Sequence, residues 1–149
     1  MRTILGGLLA ASVLLAAQAT QAQTIITLQT GFTPDPHQEG VVAGGSVDLS
    51  ALDDDCAGYV ADRADFLLNY TAGTTLGLDI YMRAATDTVL VVQDPEGQFW
   101  CDDDSGGDNN PYLGWSDPIS GTYRIWAGTY ASGAYVDATL LISEVAGHD

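Results

Sequence analysis

Thr75-Leu76-Gly77-Leu78-Asp79-Ile80-Tyr81-Met82-Arg83 decides the fold class. Leu76, Leu78, Ile80 and Met82 alternate with Gly77, Asp79, Tyr81 and Arg83, and a period of two puts every apolar residue on one face of a strand. The period recurs on both sides: Phe66, Leu68 and Tyr70; then Tyr123, Ile125 and Ala127; then Val136, Ala138, Leu140 and Ile142. Residues 88–93 read as a more continuously apolar strand. Asp94-Pro95-Glu96-Gly97 behind them has the composition of a type I or II turn, so residues 98–101 return as a hairpin partner. With residues 25–29 and 46–49 the count reaches about eight short strands. Past residue 22 no segment carries an amphipathic helix of ten or more residues, although residues 51–62 have room for one turn. About eight short antiparallel strands with Gly-rich connections predict an all-β, jelly-roll-like β-sandwich.

The strands start late because the chain opens on something else. Arg2 supplies a positive start, residues 4–17 an apolar run, and Ala17-Gln18-Ala19 or Thr20-Gln21-Ala22 a small-residue cleavage site. Residues 1–22 therefore read as a signal peptide and the protein as secreted or periplasmic, with no membrane insertion after cleavage. Residues 23–45, with Pro34, Pro36 and several glycines, read as an extended lead-in carrying the first strand, and 46–149 as the sandwich domain.

Net charge excludes whole classes of partner. The chain has no lysine, and four arginines stand against twenty acidic residues for a formal charge of −16. Nucleic-acid binding runs on cations that neutralise phosphates, so no nucleic acid is expected, nor docking to anionic lipid.

The densest acid lies in Cys101-Asp102-Asp103-Asp104-Ser105-Gly106-Gly107-Asp108-Asn109-Asn110. Close carboxylates repel one another by about 1 kcal/mol per pair in water-like surroundings, so a counter-ion is the simplest way to give this loop one shape. Calcium takes six to eight hard oxygens from carboxylates, amides, carbonyls and water. The expected ligands are Asp102, Asp104 and Asp108, with Asp103, Asn109 and Asn110 as further donors. The loop is not an EF-hand: counted from Asp102, its twelfth position is Leu113.

Asp104-Ser105-Gly106-Gly107 also spells the D-S-G-G core of a trypsin-like nucleophile motif. A general base must reach that serine, and the two histidines, His37 and His148, lie in contexts unlike those of such enzymes. The expectation is no enzyme, with a serine-peptidase-related protein as the remote alternative.

Cys56 and Cys101 are the only cysteines, and each abuts an acidic triplet, Asp53-Asp54-Asp55 and Asp102-Asp103-Asp104. In an oxidising compartment a lone pair predicts a disulfide. Aromatic residues offer a different chemistry. Trp100 and Trp126 are out of phase with their apolar neighbours, so both are expected to face outward. With Tyr81, Tyr112, Trp115 and Tyr130 they would suit a carbohydrate or a protein surface.

Three segments in order resemble a known family. Asp87-Thr88-Val89-Leu90-Val91-Val92-Gln93-Asp94-Pro95-Glu96-Gly97, the acidic run from Cys101 to Gly107, and Ser120-Gly121-Thr122-Tyr123-Arg124-Ile125-Trp126-Ala127-Gly128-Thr129-Tyr130 are similar to the bacterial pre-peptidase C-terminal (PPC) domain. That pattern has a D-T-x-L strand, a D-x-x-G turn, an acidic D-D loop and a G-T-Y-x-I-x-V-G strand. The resemblance, over residues 46–144, implies a jelly-roll-like sandwich carried beside secreted peptidases as a non-catalytic module. No peptidase domain accompanies it in this sequence, so a peptidase activity does not transfer. The sequence thus predicts a non-catalytic exported binding or accessory module, stabilised by calcium and one disulfide, with a carbohydrate-binding protein as the alternative.

Overall fold

The computed structural model describes residues 22–52 and 56–145. Nearly all of the expected signal peptide, the triplet Asp53-Asp54-Asp55 and His148 lie outside them. Among the described residues there are eleven strands: β1 Thr24–Gln29, β2 His37–Gly44, β3 Val47–Asp48, β4 Tyr59–Val60, β5 Phe66–Thr71, β6 Leu78–Ala84, β7 Thr88–Gln93, β8 Phe99–Asp102, β9 Tyr112–Trp115, β10 Gly121–Thr129 and β11 Tyr135–Ser143. They form two packed sheets, one of seven strands and one of four in the order β2-β11-β6-β9. The fold is an all-β sandwich.

In the larger sheet β10 is the hub. Its first half pairs with β5, its end touches β4, and its other side pairs with β7, which carries β8 as its hairpin partner. β1 flanks β5 and runs parallel to it, an exception to the expected antiparallel pairing. The chain leaves β1 for the opposite sheet as β2 before returning, and that crossover makes a parallel pair possible.

The alternating residues meet between the sheets. Phe66, Leu68, Leu78, Ile80, Met82, Tyr123, Ile125, Leu140 and Ile142 are buried there together with Leu90 and Val92. Each large apolar side chain so buried contributes about 1.5–3 kcal/mol. Leu76, expected to lead one of these rows, lies ahead of β6 and is exposed.

Three strands go beyond the expected set. β2 occupies the segment read as lead-in, because Pro34, Pro36 and the glycines dominate its composition while only Val41 and Ala43 turn toward the core. β4 and β9 span two and four residues, too short to show a period. Residues 49–51 form one 3-10 turn whose start is capped by Asp48, which accepts the Ser50 N–H at 3.0 Å.

A second apolar cluster covers the outer side of the larger sheet. Leu49, Val60, Val89 and Val91 are buried in it, with Cys56, Cys101 and Trp126 packed alongside. Cys56 and Cys101 are joined as a disulfide across a separation of 45 residues, their Cα atoms 5.9 Å apart. It ties the segment ahead of β4 down onto β8.

Candidate functional site

The acidic loop is the crossing from β8 in one sheet to β9 in the other, and most of its polar groups are occupied in making that crossing. Asp102 ends β8 on the same side as Leu90, its register partner. Its Oδ2 accepts the Tyr112 N–H at 2.8 Å and the Ser105 N–H at 2.9 Å, and its Oδ1 accepts the Ser105 hydroxyl at 2.5 Å. One carboxylate therefore clamps the start of β9 to the end of β8. Asn110 is buried; its Oδ1 accepts the Ala84 N–H at 2.8 Å and its Nδ2 donates to the Asp108 carbonyl at 3.1 Å. Gly107, Asp108 and Asn109 all take positive φ, at 78°, 53° and 59°, a left-handed run that Gly, Asp and Asn tolerate better than other residues.

Part of the counter-charge is built in. Arg83 lies over the Tyr81 ring, 5.2 Å from its centroid, and its Nη1 donates to the Gly106 carbonyl at 3.3 Å. The loop thus has a guanidinium at its base. Among the described residues no three His, Cys, Asp or Glu side chains are grouped to hold one metal ion. Asp102 and Asn110 are committed to backbone partners, and Asp104 and Asp108 do not join them in a shared centre.

Two oxygens without a hydrogen-bond partner lie next to that set. Asp87 Oδ1 and Thr88 Oγ1, at the start of β7, are buried with no hydrogen-bond partner. The Thr88 N–H donates to the Asn109 carbonyl at 3.3 Å and Asn109 Nδ2 donates to Asp87 Oδ2 at 3.5 Å, which brings β7 against the loop. Burial pushes the Asp103 carboxyl above its usual range, and the charges of Asp104, Asp102 and Asp87 push it the same way.

Ser105 is placed as a loop residue. Its hydroxyl donates to a carboxylate, and His37 sits on β2 with Nε2 3.0 Å from Glu39 Oε1.

The six aromatics expected on one binding surface are distributed over different parts of the molecule. Trp126 alternates with the buried Ile125 and Ala127 and lies on the outer side of the larger sheet, its ring 5.9 Å from Phe99 at 40°. Trp100 turns the other way, toward the seam between the sheets. Its indole N–H donates to Asp94 Oδ2 at 2.9 Å and its ring meets Trp115 edge-on at 6.1 Å, which in turn packs on Tyr123. Burial raises the Asp94 carboxyl, but the bonds from Trp100 and from the Gln98, Glu96 and Gly97 N–H groups outweigh it and hold the group low. Tyr112 donates its hydroxyl to Asp79 Oδ1 at 2.7 Å; burial, then the bond and charge of Asp79, push that phenol up to about 12. Tyr130 is half-exposed just past β10.

Sequence pattern missed Phe99. It is 46% exposed, and with Leu52, Cys56, Val91 and Gln98 it lines a cavity of about 320 Å³ on the disulfide side of the larger sheet. The signal was available in the hairpin register, since Phe99 pairs with Gln93 and shares a side with Cys101 rather than with Trp100. A second opening of about 520 Å³, lined in part by Asp79, Tyr112, Gly114 and Glu144, lies at the β6–β9 flank. A Cβ on Gly114 would stand 2.8 Å from both Asp79 Oδ1 and the Tyr112 hydroxyl, so only glycine leaves room for that bond. Glu144 accepts the Tyr70 hydroxyl at 2.5 Å and the Gly31 N–H at 2.6 Å.

No family model matches the chain, and no curated protein matches it. Among solved structures it is similar to the crystal structure of Aeromonas hydrophila PliG, a periplasmic lysozyme inhibitor of g-type lysozyme. The identity is 18% and the TM-score 0.38, over 82% of this chain and 98% of that one. Likeness at this level says nothing about what this chain binds.

Proposed function

We propose that the protein is an exported, non-catalytic binding module that presents the Phe99–Trp126 face of its larger sheet to a protein partner. The observation that carries this reading is the apolar cavity beside Phe99, open on a chain whose formal charge is −16. An exposed apolar pocket on so acidic a surface is costly to leave in water and suits an apolar anchor from a partner. Arg124 lies on the same side, its Nη1 donating to Gln93 Oε1 at 3.0 Å, next to the Gln93–Phe99 pair. The 40° tilt between the Phe99 and Trp126 rings gives a corner rather than a flat stacking platform, which favours a protein over a sugar. The PPC resemblance agrees with an accessory role, and export rests on the signal-like residues 1–22. Calcium at Asp103 and Asp87 is part of the same proposal, as a structural ion supported by the unpartnered Asp87 oxygen.

A photoreactive residue in place of Gln98, activated in exporting cells, should give one discrete protein adduct that Phe99→Asp abolishes. Retardation of the purified protein by a polysaccharide gel, lost in Trp126→Ala, would transfer the reading to carbohydrate binding. Casein hydrolysis lost in Ser105→Ala would overturn the non-catalytic reading altogether.

A further inference from the structure

We infer that β1 is a pairing edge for a second copy of this chain, the two β1 strands running antiparallel about a twofold axis at Thr27. Among the described strands β1 pairs with β5 alone. The N–H groups of Thr24 and Thr30 donate to the Asp65 and Thr71 carbonyls at 2.8 and 2.9 Å, on the β5 side. In a strand the N–H and C=O of one residue point the same way and alternate along the chain. Those of Ile25, Thr27 and Gln29 therefore face the open edge.

The other edges of the sandwich carry devices against pairing. β3 is two residues long. β8 and β9 are four residues each and are clamped to one another through Asp102. β2 is longer but holds Glu39, paired with His37, and Gly40. Charges, brevity and covering contacts are what keep an edge from templating another chain. Among the described residues β1 has none of them. Its six residues, Thr-Ile-Ile-Thr-Leu-Gln, contain no charge, glycine or proline, four of them are β-branched, and Ile25 is 67% exposed.

Charge selects a second copy as the occupant. Two chains of formal charge −16 repel through most of their surfaces, but residues 22–34 and 66–78, which hold β1 and its neighbour β5, contain no Asp, Glu, Lys, Arg or His. At this flank two copies meet without opposing carboxylates. The sequence is also compatible with its own reverse. A twofold at Thr27 sets Thr27 against Thr27, and Ile25 against Gln29 on the outer side. On the inner side it sets Ile26, 4% exposed, against Leu28, so the apolar layer continues from one copy into the next. The pairs Ile25–Gln29, Thr27–Thr27 and Gln29–Ile25 are the hydrogen-bonded ones, and the two seven-stranded sheets become continuous. β8 and the Phe99 face lie at the far flank and stay open.

One strand pair buries little surface, so the dimer is weak and concentration-dependent, and salt that screens the negative charge strengthens it. Sedimentation equilibrium should show the mass rising from one chain toward two with concentration, at lower concentration in high than in low sodium chloride. Thr27→Pro removes a donor that faces the open edge and leaves the β5 ladder intact, and should weaken association at least tenfold. Ile25→Lys should do the same, with the circular dichroism and melting temperature of both variants near those of the parent. Thr27→Cys should cross-link to itself under mild oxidation, since hydrogen-bonded antiparallel partners stand about 5.5 Å apart between Cα atoms. A single-chain mass at every concentration in high salt would overturn the inference. So would a dimer that all three variants form unchanged and that Thr27→Cys fails to cross-link.

Discussion

β8 and β1 lie at opposite flanks of the seven-stranded sheet, and each leaves one side without a partner among the described strands. At β8 the flank is crowded with restraints: the Cys56–Cys101 bond, the Asp102 clamp onto β9, the Trp100–Trp115 contact and the acidic loop. At β1 the flank is bare uncharged backbone beside Ile25. In this chain negative charge is concentrated where the sheets must be joined and withheld where the sheet can be extended. Acid does different work in the two places. It fastens the fold at β8, and by its absence it leaves β1 free to pair.

The disulfide contributes most to that contrast. Replacing both cysteines, as Cys56→Ser with Cys101→Ser, releases a closed loop spanning 45 residues and should cost about 4 kcal/mol on the chain-entropy estimate. Denaturant unfolding would read it as a lower midpoint. A loss below about 1 kcal/mol would mean that Leu49, Val60, Val89 and Val91 hold the β8 flank by packing alone.

Calcium comes next. An ion bound to the native state stabilises by about 2.7 kcal/mol at a hundredfold excess over its Kd, so millimolar calcium should raise the melting temperature at fixed ionic strength. Asp103→Asn combined with Asp87→Asn should remove the increment. An equal response to sodium chloride would leave Arg83 and the loop's own hydrogen bonds as the sole account of its shape.

These two effects differ in how far the sequence announced them. The disulfide followed from there being only two cysteines, and the sandwich from period-two rows whose inner members, such as Leu78, Ile80 and Met82, are fully buried. Periodicity needs length, and that is why the sequence pattern does not show β4 and β9 and presents β2 as part of a lead-in. The loop residues were recognised as a group, but which oxygen serves which N–H depends on tertiary placement. Asp102 meets Tyr112 only because β9 returns on the other sheet. Trp100 illustrates the same limit: alternation puts it on the side away from Phe99 and Cys101, but does not show that the Trp115 ring of the other sheet meets it there, leaving it 39% exposed.

The smallest expected effect belongs to the β1 flank and tests whether acid is indeed unwelcome there. Asp65 precedes β5; its carbonyl accepts the Thr24 N–H from β1 and its Oδ2 accepts the Ala127 N–H at 2.8 Å. Burial pushes its carboxyl up to about 6, and the Ala127 bond, which favours the charged form, does not overcome it. The folded chain therefore holds a proton between about pH 4 and pH 6 that the unfolded chain has released. Stability contributed by this group is present below pH 4, falls as pH rises through that window, and is level above it. Two pH units would correspond to about 2.7 kcal/mol, and contact with solvent reduces this to about 1–2 kcal/mol. Asp65→Asn keeps an oxygen for the Ala127 N–H and carries no charge. It should match the parent near pH 4 and exceed it by about 1–2 kcal/mol above pH 7. Other carboxylates, Asp94 among them, titrate in the opposite sense, so the difference between variant and parent across pH is the quantity to follow. A gap of equal size at both ends of the range would assign the effect to the amide's own contacts rather than to a charge buried beside β1.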